Sequence, residues 1–90
     1  MKASEEMSHM GGTIARVDPQ NRNLTVNSLI VTKMFKVADD AEIITPSKSP
    51  ADLKDLNVAD PVEVMYEQQA LVSLAHRVDV ISALKHQKVV

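Results

Sequence analysis

A two-residue alternation that begins at Pro61 is the feature that most constrains the fold of this chain. Three apolar residues alternate there with three residues that would face the other way, namely Val62, Val64 and Tyr66 against Glu63, Met65 and Glu67. Successive side chains of a strand point to opposite faces of a sheet, so this period predicts a half-buried β-strand. Pro61 suits the first position of that strand because it donates no hydrogen bond to a neighbouring strand.

A cluster of turn-forming residues from 18 to 23 lies between two shorter apolar segments. This arrangement predicts a β-hairpin. In the first arm, Ile14 and Val17 fall on opposite faces of a regular strand. A β-bulge around Ala15-Arg16 would return both side chains to the core, so we expect the strand to bend there.

The remaining apolar segments also have the composition of short strands. The predicted strands are residues 12–17, 24–28, a bent or interrupted stretch up to 37, 42–45, 61–67 and 71–81. Ala38-Asp39-Asp40 is expected to form a turn, and its carboxylates, with Glu42, are interpreted as solvated rather than as a Ca²⁺ site. In the last strand, the inward face is expected to carry Val72, Leu74, His76, Val78 and Val80.

A single helical turn is predicted from Ser49 onward. Ser49 is expected at the N-cap, Pro50 at the first helical position and Asp52 in the first turn, where negative charge interacts favourably with the helix dipole. Leu53 and Leu56 are three residues apart and would share one face of this turn. That face is expected to close one end of a barrel.

These elements favour an all-β domain, a small closed barrel of five or six strands with one short helical turn. A sandwich would need about seven strands. The chain has 90 residues, of which 44% are hydrophobic, which is enough for one core and too few for two. We expect a flexible tail over residues 1–10, the barrel over residues 11–81 and a second tail over residues 82–90.

The composition excludes several classes of function. The chain has no cysteine, which rules out disulfides, thiolate nucleophiles and the usual structural zinc sites. Its net charge of −2 gives no long-range attraction to nucleic acid or anionic membranes. Phe35 and Tyr66 are its only aromatic residues, too few for stacking on single-stranded bases. We therefore expect neither a nucleic-acid partner nor membrane insertion.

No catalytic constellation is visible in the sequence. His76 has no serine or carboxylate spaced to complete a triad. Its inward phase at an expected bulge favours a partly buried, hydrogen-bonded side chain. No glycine-rich loop is present to hold a phosphate group. The sequence thus predicts a protein that is not an enzyme and that carries no cofactor.

One group of soft ligands forms a candidate metal site. Met7, His9 and Met10 lie close together in the sequence and, with Met34, offer thioether and imidazole donors suited to Cu(I) or Ag(I). The competing interpretation is an ordinary flexible tail that includes a remnant of a cloning site. Ordering a tail costs about 1–2 kcal/mol per residue, and lysines flank Met34, so any binding is expected to be weak.

The order of motifs resembles a widespread group of small bacterial OB-like β-barrel domains. The resemblance covers residues 12–80 and rests on the segments Gly12-Thr13-Ile14-Ala15-Arg16-Val17-Asp18, Leu24-Thr25-Val26, Phe35-Lys36-Val37, Ala51 to Val64 and Ala75-His76-Arg77-Val78-Asp79-Val80. It implies an OB-like fold and, since the group is largely exported, a periplasmic or secreted location if a signal peptide has been removed. Where these barrels usually have glycine, this chain has Ala59, for which we expect a negative φ or some strain.

A more distant resemblance links the chain to the periplasmic copper and silver chaperone of bacterial efflux systems. That family implies a soft-metal site on the barrel wall, made of two methionines and one histidine and covered by a tryptophan. Met34 is the only ligand type that can be carried over by position, and the chain has no tryptophan. The resemblance therefore implies the fold of the chaperone without its metal site.

Together these inferences predict a non-catalytic binding or accessory module in the bacterial envelope, whose partner is another protein or a small ligand. The chain is expected to be a monomer. Two alternatives remain open. One is a divergent protein that binds Cu(I) or Ag(I), and the other is an OB-like domain that binds single-stranded nucleic acid.

Overall fold

The protein forms a closed barrel of five strands in a computed structural model that describes residues 7–81. The elements are β1 (Ser8–Asp18), β2 (Asn23–Asn27), β3 (Thr32–Ile44), a 3₁₀ turn (Leu53–Asp55), β4 (Pro61–Gln69) and β5 (Val72–Val80). The strand order is β1-β2-β3-β5-β4, and all neighbours are antiparallel except β3 and β5. The predicted all-β, OB-like barrel with a short helical turn is confirmed. Within the described residues, no helix is long and apolar enough to cross a membrane.

The core of the barrel is filled by aliphatic side chains and one phenylalanine. Its buried members are Ile14, Leu24, Val26, Phe35, Val37, Ile43, Ala51, Leu53, Leu56, Val62, Val64, Ala75 and Val78. Phe35 meets the half-buried Tyr66 edge to face, with the ring centroids 5.0 Å apart. The alternation predicted for β4 is confirmed, because Val62 and Val64 are both fully buried.

β1 pairs with two different strands along its length. Its first half lies antiparallel to β4, with Ser8 opposite Tyr66, and its second half lies antiparallel to β2. The register against β2 shifts at Ala15, between Ile14 and Arg16. This is the predicted bulge, and the bend it introduces allows one strand to serve both neighbours.

β1 begins at Ser8, before the start of the predicted strand. Ser8, His9 and Met10 are therefore strand residues and not part of a flexible tail. They pair with β4 residues more than 50 positions away, a contact that local sequence does not reveal. Met7 precedes the strand, and the remaining residues of the two predicted tails, 1–6 and 82–90, lie outside the described residues.

β3 is one long strand where a turn and a second strand were predicted. Ala38, Asp39 and Asp40 lie inside it, and both aspartates are exposed. β3 pairs with β2 up to Lys36 and reaches a regular register with β5 again at Glu42. The acidic residues lie in an irregular stretch between two segments of β3 that both pair with β5, so they mark a bend instead of a turn.

The inward face of β5 changes at the bulge expected around His76. Arg77 lies opposite Met65 and Ala75 lies opposite Tyr66, so His76 is an extra residue between them. The buried residues of β5 are Ser73, Ala75 and Val78. The predicted inward face is wrong before the bulge, because one extra residue reverses the phase of every side chain on that side of it.

The segment between β3 and β4 covers one end of the barrel. Leu53 and Leu56 are buried there, which confirms the predicted closure. The N-cap is Asp52 and not the predicted Ser49, because Asp52 is still extended. The backbone N–H of Asp52 donates a hydrogen bond of 2.8 Å to the carboxylate of Asp55, which fixes the turn.

The two ends of the barrel can be told apart by strand direction. β1, β3 and β5 run the same way, since each neighbouring pair is antiparallel except β3 and β5. These strands finish at the end covered by residues 45–60, which we call the capped end. They start at the end that holds Met7, the β2–β3 turn (residues 28–31) and the β4–β5 turn (residues 70–71), which we call the open end.

A tight turn before β4 holds Ala59 at a φ of 81°. The N–H of Asp60 donates to the carbonyl of Asn57 at 3.1 Å, and the N–H of Ala59 donates to the carbonyl of Ile14 at 2.7 Å. A turn with positive φ at its third residue is one that glycine normally fills. The expectation of a negative φ at Ala59 is therefore wrong, and Ala59 adopts the strained, left-handed conformation that was the alternative.

Candidate functional site

The outer wall of the barrel beside β1 carries the histidine predicted as a metal ligand. His9 is exposed and lies directly opposite Met65 of β4. Residues opposite each other on antiparallel strands have Cβ atoms about 4.5–5.5 Å apart. The imidazole and this thioether therefore share one patch of the surface.

Met7 adds a second thioether to this patch. It immediately precedes β1 and is 37% exposed, and because it lies two residues before His9, the alternation of an extended chain would place it on the same side as His9. Met10 has the opposite phase and packs, half-buried, against the core. We refer to Met7, His9 and Met65 as the soft-donor face.

The charges around the soft-donor face are balanced. A shallow depression of about 60 Å³ is lined by His9, Glu63, Met65, Arg77 and Asp79. The Arg77 guanidinium donates to the carboxylate of Asp79 at 3.2 Å and to that of Glu42 at 3.3 Å, so two acids offset its charge. With Glu63 also present, the depression does not repel a cation.

Met34 lies on a different wall of the barrel. It is 62% exposed on β3. β2 separates β3 from β1 on one side, and β5 separates β3 from β4 on the other. The structure therefore places His9 beside Met65, with Met7 two residues earlier in the chain. Met34 and Met10 remain apart from them.

His76 lies on the outside of the barrel, in the bulge of β5. Its Nε2 is 3.1 Å from Oε1 of Glu67, and both side chains are partly exposed. The predicted hydrogen-bonded, partly buried histidine is confirmed, although it faces outward. Among residues 7–81, no group of three or more His, Cys, Asp or Glu side chains is arranged to hold a metal ion. A metal site in this part of the chain therefore needs methionine sulfur.

The two aromatic residues are covered. Phe35 is fully buried, and the ring of Tyr66 lies beneath the ammonium group of Lys33, 5.2 Å from the ring centroid. Stacking on single-stranded bases needs exposed rings in a positive groove. That the protein binds no nucleic acid stays a prediction.

Met65 is the residue that sequence reasoning missed. Its outward phase follows from the alternation in β4, but it lies 56 positions after His9, and no local pattern connects the two. Reading the alternation of β1 back to Ser8 would have given His9 an outward position on a strand. The partner strand, however, follows only from the closed topology.

These features define a small, five-stranded, OB-like barrel with a soft-donor face on its outer wall. No protein-family model matches the chain, and no curated protein matches its sequence. Comparison with solved structures finds the same fold in CusF, including CusF of Escherichia coli.

Three CusF structures describe the similarity. CusF-Ag(I), residues 10–88 from Escherichia coli, superposes with a TM-score of 0.70 at 17% identity and covers 91% of this chain and 100% of that one. Apo-CusF, residues 6–88 from Escherichia coli, superposes with a TM-score of 0.64 at 16% identity. The match covers 86% of this chain and 89% of that one. Ag(I)CusF superposes with a TM-score of 0.65 at 14% identity, and the match covers 84% of this chain and 99% of that one. The resemblance to the copper and silver chaperone is thus confirmed at the level of the fold.

Proposed function

We propose that this protein is a non-catalytic module that binds soft monovalent metal ions, Cu(I) or Ag(I), on the soft-donor face. The observation that carries the proposal is the register of β1 against β4, which sets His9 opposite Met65 with Met7 two residues away. Two thioethers and one imidazole are donors that soft ions prefer. CusF, which has the same fold, is known in an Ag(I) form, and this supports the choice of ion.

The proposed position differs from the one that the family resemblance implies. At that position Met34 is the only available ligand, and Lys33 and Lys36 beside it carry positive charge. On the soft-donor face, the nearby Arg77 is offset by two carboxylates. Electrostatics therefore favour the soft-donor face for a bound cation, by an amount that solvent screening reduces at the surface.

Binding is expected to be weak to moderate. Met7 and His9 are exposed, and Met65 is partly exposed. Met7 precedes the strand, so its backbone and side chain lose about 1–2 kcal/mol each of conformational freedom when they are fixed. The role is binding and not catalysis, since the site offers metal ligands without a paired nucleophile and base. A location in the bacterial envelope belongs to the same proposal.

Titration with Ag⁺, followed through the methionine methyl and histidine ring resonances, tests the proposal. The Met7, Met65 and His9 signals should shift together and saturate at one ion per chain. Met65→Leu keeps the side chain apolar and removes its sulfur, and it should weaken binding at least about tenfold. Met34→Leu is the matched control and should leave the affinity unchanged.

Zn²⁺ serves as a second probe of the same site. It prefers thiolate, imidazole and carboxylate ligands, so it should bind at least about tenfold more weakly than Ag⁺. Saturating shifts at Met34 without shifts at Met65, or an unchanged affinity after Met65→Leu, would contradict the proposed site.

A further inference from the structure

The open end of the barrel exposes an unusual set of aliphatic side chains. Leu29 and Ile30 in the β2–β3 turn are 103% and 93% exposed, and Leu71 in the β4–β5 turn is 98% exposed. Three apolar residues beside them are also exposed, namely Val31, Met34 and Val72. Single exposed apolar residues are normal, but a cluster of them marks an interaction surface.

The turn that carries Leu29 and Ile30 is held in one shape. The N–H of Ser28 donates to the carbonyl of Val31 at 2.8 Å, and the Ser28 hydroxyl accepts from the N–H groups of Ile30 and Val31 at 3.2 and 3.1 Å. A turn that is fixed before binding loses little conformational entropy when it docks. We call residues 28–31 the knob.

A groove of about 400 Å³ lies at the same end, between β3 and the start of β5. Its exposed apolar lining comes from Met34, Leu71 and Val72, and the fully buried Phe35 lies beneath them. Lys36 lies at its edge, and its ammonium group donates to the carbonyl of Asn21 at 3.0 Å. The groove is therefore suited to an aliphatic side chain and not to an anion.

We propose that two copies of this chain associate at the open end by reciprocal exchange, in which the knob of each copy enters the groove of the other. Knob and groove belong to one chain and lie at one end of it, as a two-fold symmetric interface requires. The five described strands close into a barrel, and the open end exposes apolar side chains, so we expect side chains to make the contact. The inference departs from the monomer expected from the sequence.

The charges at the open end favour a second copy over a charged partner. The knob contains no charged residue. Lys33 lies over the Tyr66 ring and Lys36 contacts a backbone carbonyl, so neither forms part of a basic cluster. Nucleic acid and anionic lipid surfaces are bound by such clusters. Two copies of an uncharged knob and an apolar groove meet without repulsion.

The interface is small, so the dimer is expected to be weak. Stable interfaces bury about 800 Å² on each partner, and we expect one knob and one groove on each copy to bury less than that. We expect a dissociation constant between about 10 µM and 1 mM. Sedimentation equilibrium of the full chain across this range should show the average mass rising from 9.9 kDa toward twice that value.

Three variants test the residues. Leu29→Ser and Leu71→Ser should each weaken association at least about tenfold, and neither should affect folding because both side chains are exposed. Val58→Ser is the matched control, since Val58 is an aliphatic residue, 63% exposed, on the segment of the capped end. It should leave association unchanged. Met65→Leu should also dimerise normally, which separates this inference from the proposed metal site.

A mixture of the Leu29→Ser and Leu71→Ser variants distinguishes reciprocal exchange from general hydrophobic association. Leu29→Ser damages only the knob, and Leu71→Ser damages only the groove. A mixed pair therefore keeps one intact contact, between the knob of the Leu71→Ser chain and the groove of the Leu29→Ser chain. A pair of identical variants keeps none. The mixture should therefore associate more strongly than either variant alone.

Three outcomes would overturn the inference. The first is a monomer at every concentration, and the second is a mixture that associates no more strongly than its components. The third is a chain that stays monomeric but sediments with vesicles of phosphatidylcholine and phosphatidylglycerol, which would assign the open end to lipid instead.

Discussion

The two ends of the barrel use leucine in opposite ways. At the capped end, Leu53 and Leu56 are 3% and 6% exposed, whereas Leu29 and Leu71 at the open end are almost fully exposed. Burial of apolar surface stabilises a fold by about 25 cal/mol per Å². Only the capped pair therefore contributes to folding. The same residue type stabilises the barrel at one end and is available for recognition at the other.

The backbone, in contrast, is constrained at both ends. Ala59 at the capped end has a φ of 81°, and Ala70 at the open end has a φ of 47°. Both are alanines in the left-handed region, where glycine is favoured. The ends therefore differ in how their side chains are buried and not in how tightly the chain turns.

Leu53→Ala and Leu71→Ala should show the largest difference in stability between the two ends of the barrel. Leu53→Ala removes a buried side chain and should lower the free energy of unfolding by about 2–5 kcal/mol. Leu71→Ala removes an exposed one and should change it by less than about 0.5 kcal/mol. Urea denaturation at low protein concentration measures both. Similar losses for the two variants would show that the open end is also part of the core.

Gly12→Ala should reveal a constraint close to the open end. A Cβ at Gly12 would overlap the carbonyl group of Asn27, just before the knob. Because the obstacle is backbone, the barrel must distort, and we expect a loss of about 1–3 kcal/mol. At Gly11 the nearest atom would be 3.8 Å from the new Cβ, so Gly11→Ala is the control. Thermal unfolding of the pair should separate them, and equal melting temperatures would refute the clash.

Ala59→Gly should stabilise the capped end. Relief of the left-handed conformation gains about 1–2 kcal/mol, and the greater freedom of glycine in the unfolded chain removes about 0.4–1 kcal/mol of this. A net gain of about 0.5–1 kcal/mol is expected. Ala38→Gly, inside β3, lacks this strain and should destabilise the protein. A lower melting temperature for Ala59→Gly would argue against strain in this turn.

Acid should act on the capped end through two aspartates. The Asn21 side chain donates a hydrogen bond to Asp18 and the Asp52 N–H donates one to Asp55, and these bonds hold the pKa of each carboxyl below 3.8. The folded state then binds fewer protons than the unfolded state near pH 4. The stabilisation is complete above the unfolded pKa and is lost as pH falls through the folded pKa.

Carboxyl carbon NMR titration measures these two pKa values directly. Asn21→Ala removes the side-chain donor to Asp18, so the pKa of Asp18 should rise toward its usual value while that of Asp55 stays low. An Asp18 pKa unchanged by this substitution would exclude the hydrogen bond as its cause.

Much of the fold could be predicted because local patterns specify it. Alternation fixed the inward residues of β4, and the spacing of Ile14 and Val17 required the bulge at Ala15. The closure by Leu53 and Leu56 followed from their spacing on a single turn. In each case the signal lies within a few residues.

The rest depends on contacts between distant parts of the chain. The bulge at His76 was expected, but the inward face before it was not, because the reversal to Ser73 and Ala75 follows only from the register of β5 against β4. Asp39 and Asp40 have turn chemistry, yet β3 continues because β5 pairs with it beyond them. The pairing of His9 with Met65 likewise follows from barrel closure, so the proposed site could not be assembled from the sequence.

The dual pairing of β1 also determines the order in which the barrel can form. β1, β2 and β3 follow one another along the chain and can pair as soon as Ile44 has left the ribosome. The first half of β1 must wait for β4, and β3 must wait for β5. Contacts of such long range slow folding, and an unpaired strand edge is prone to aggregation meanwhile. The N-terminal meander thus has both edges unpaired until β4 and β5 have been synthesised.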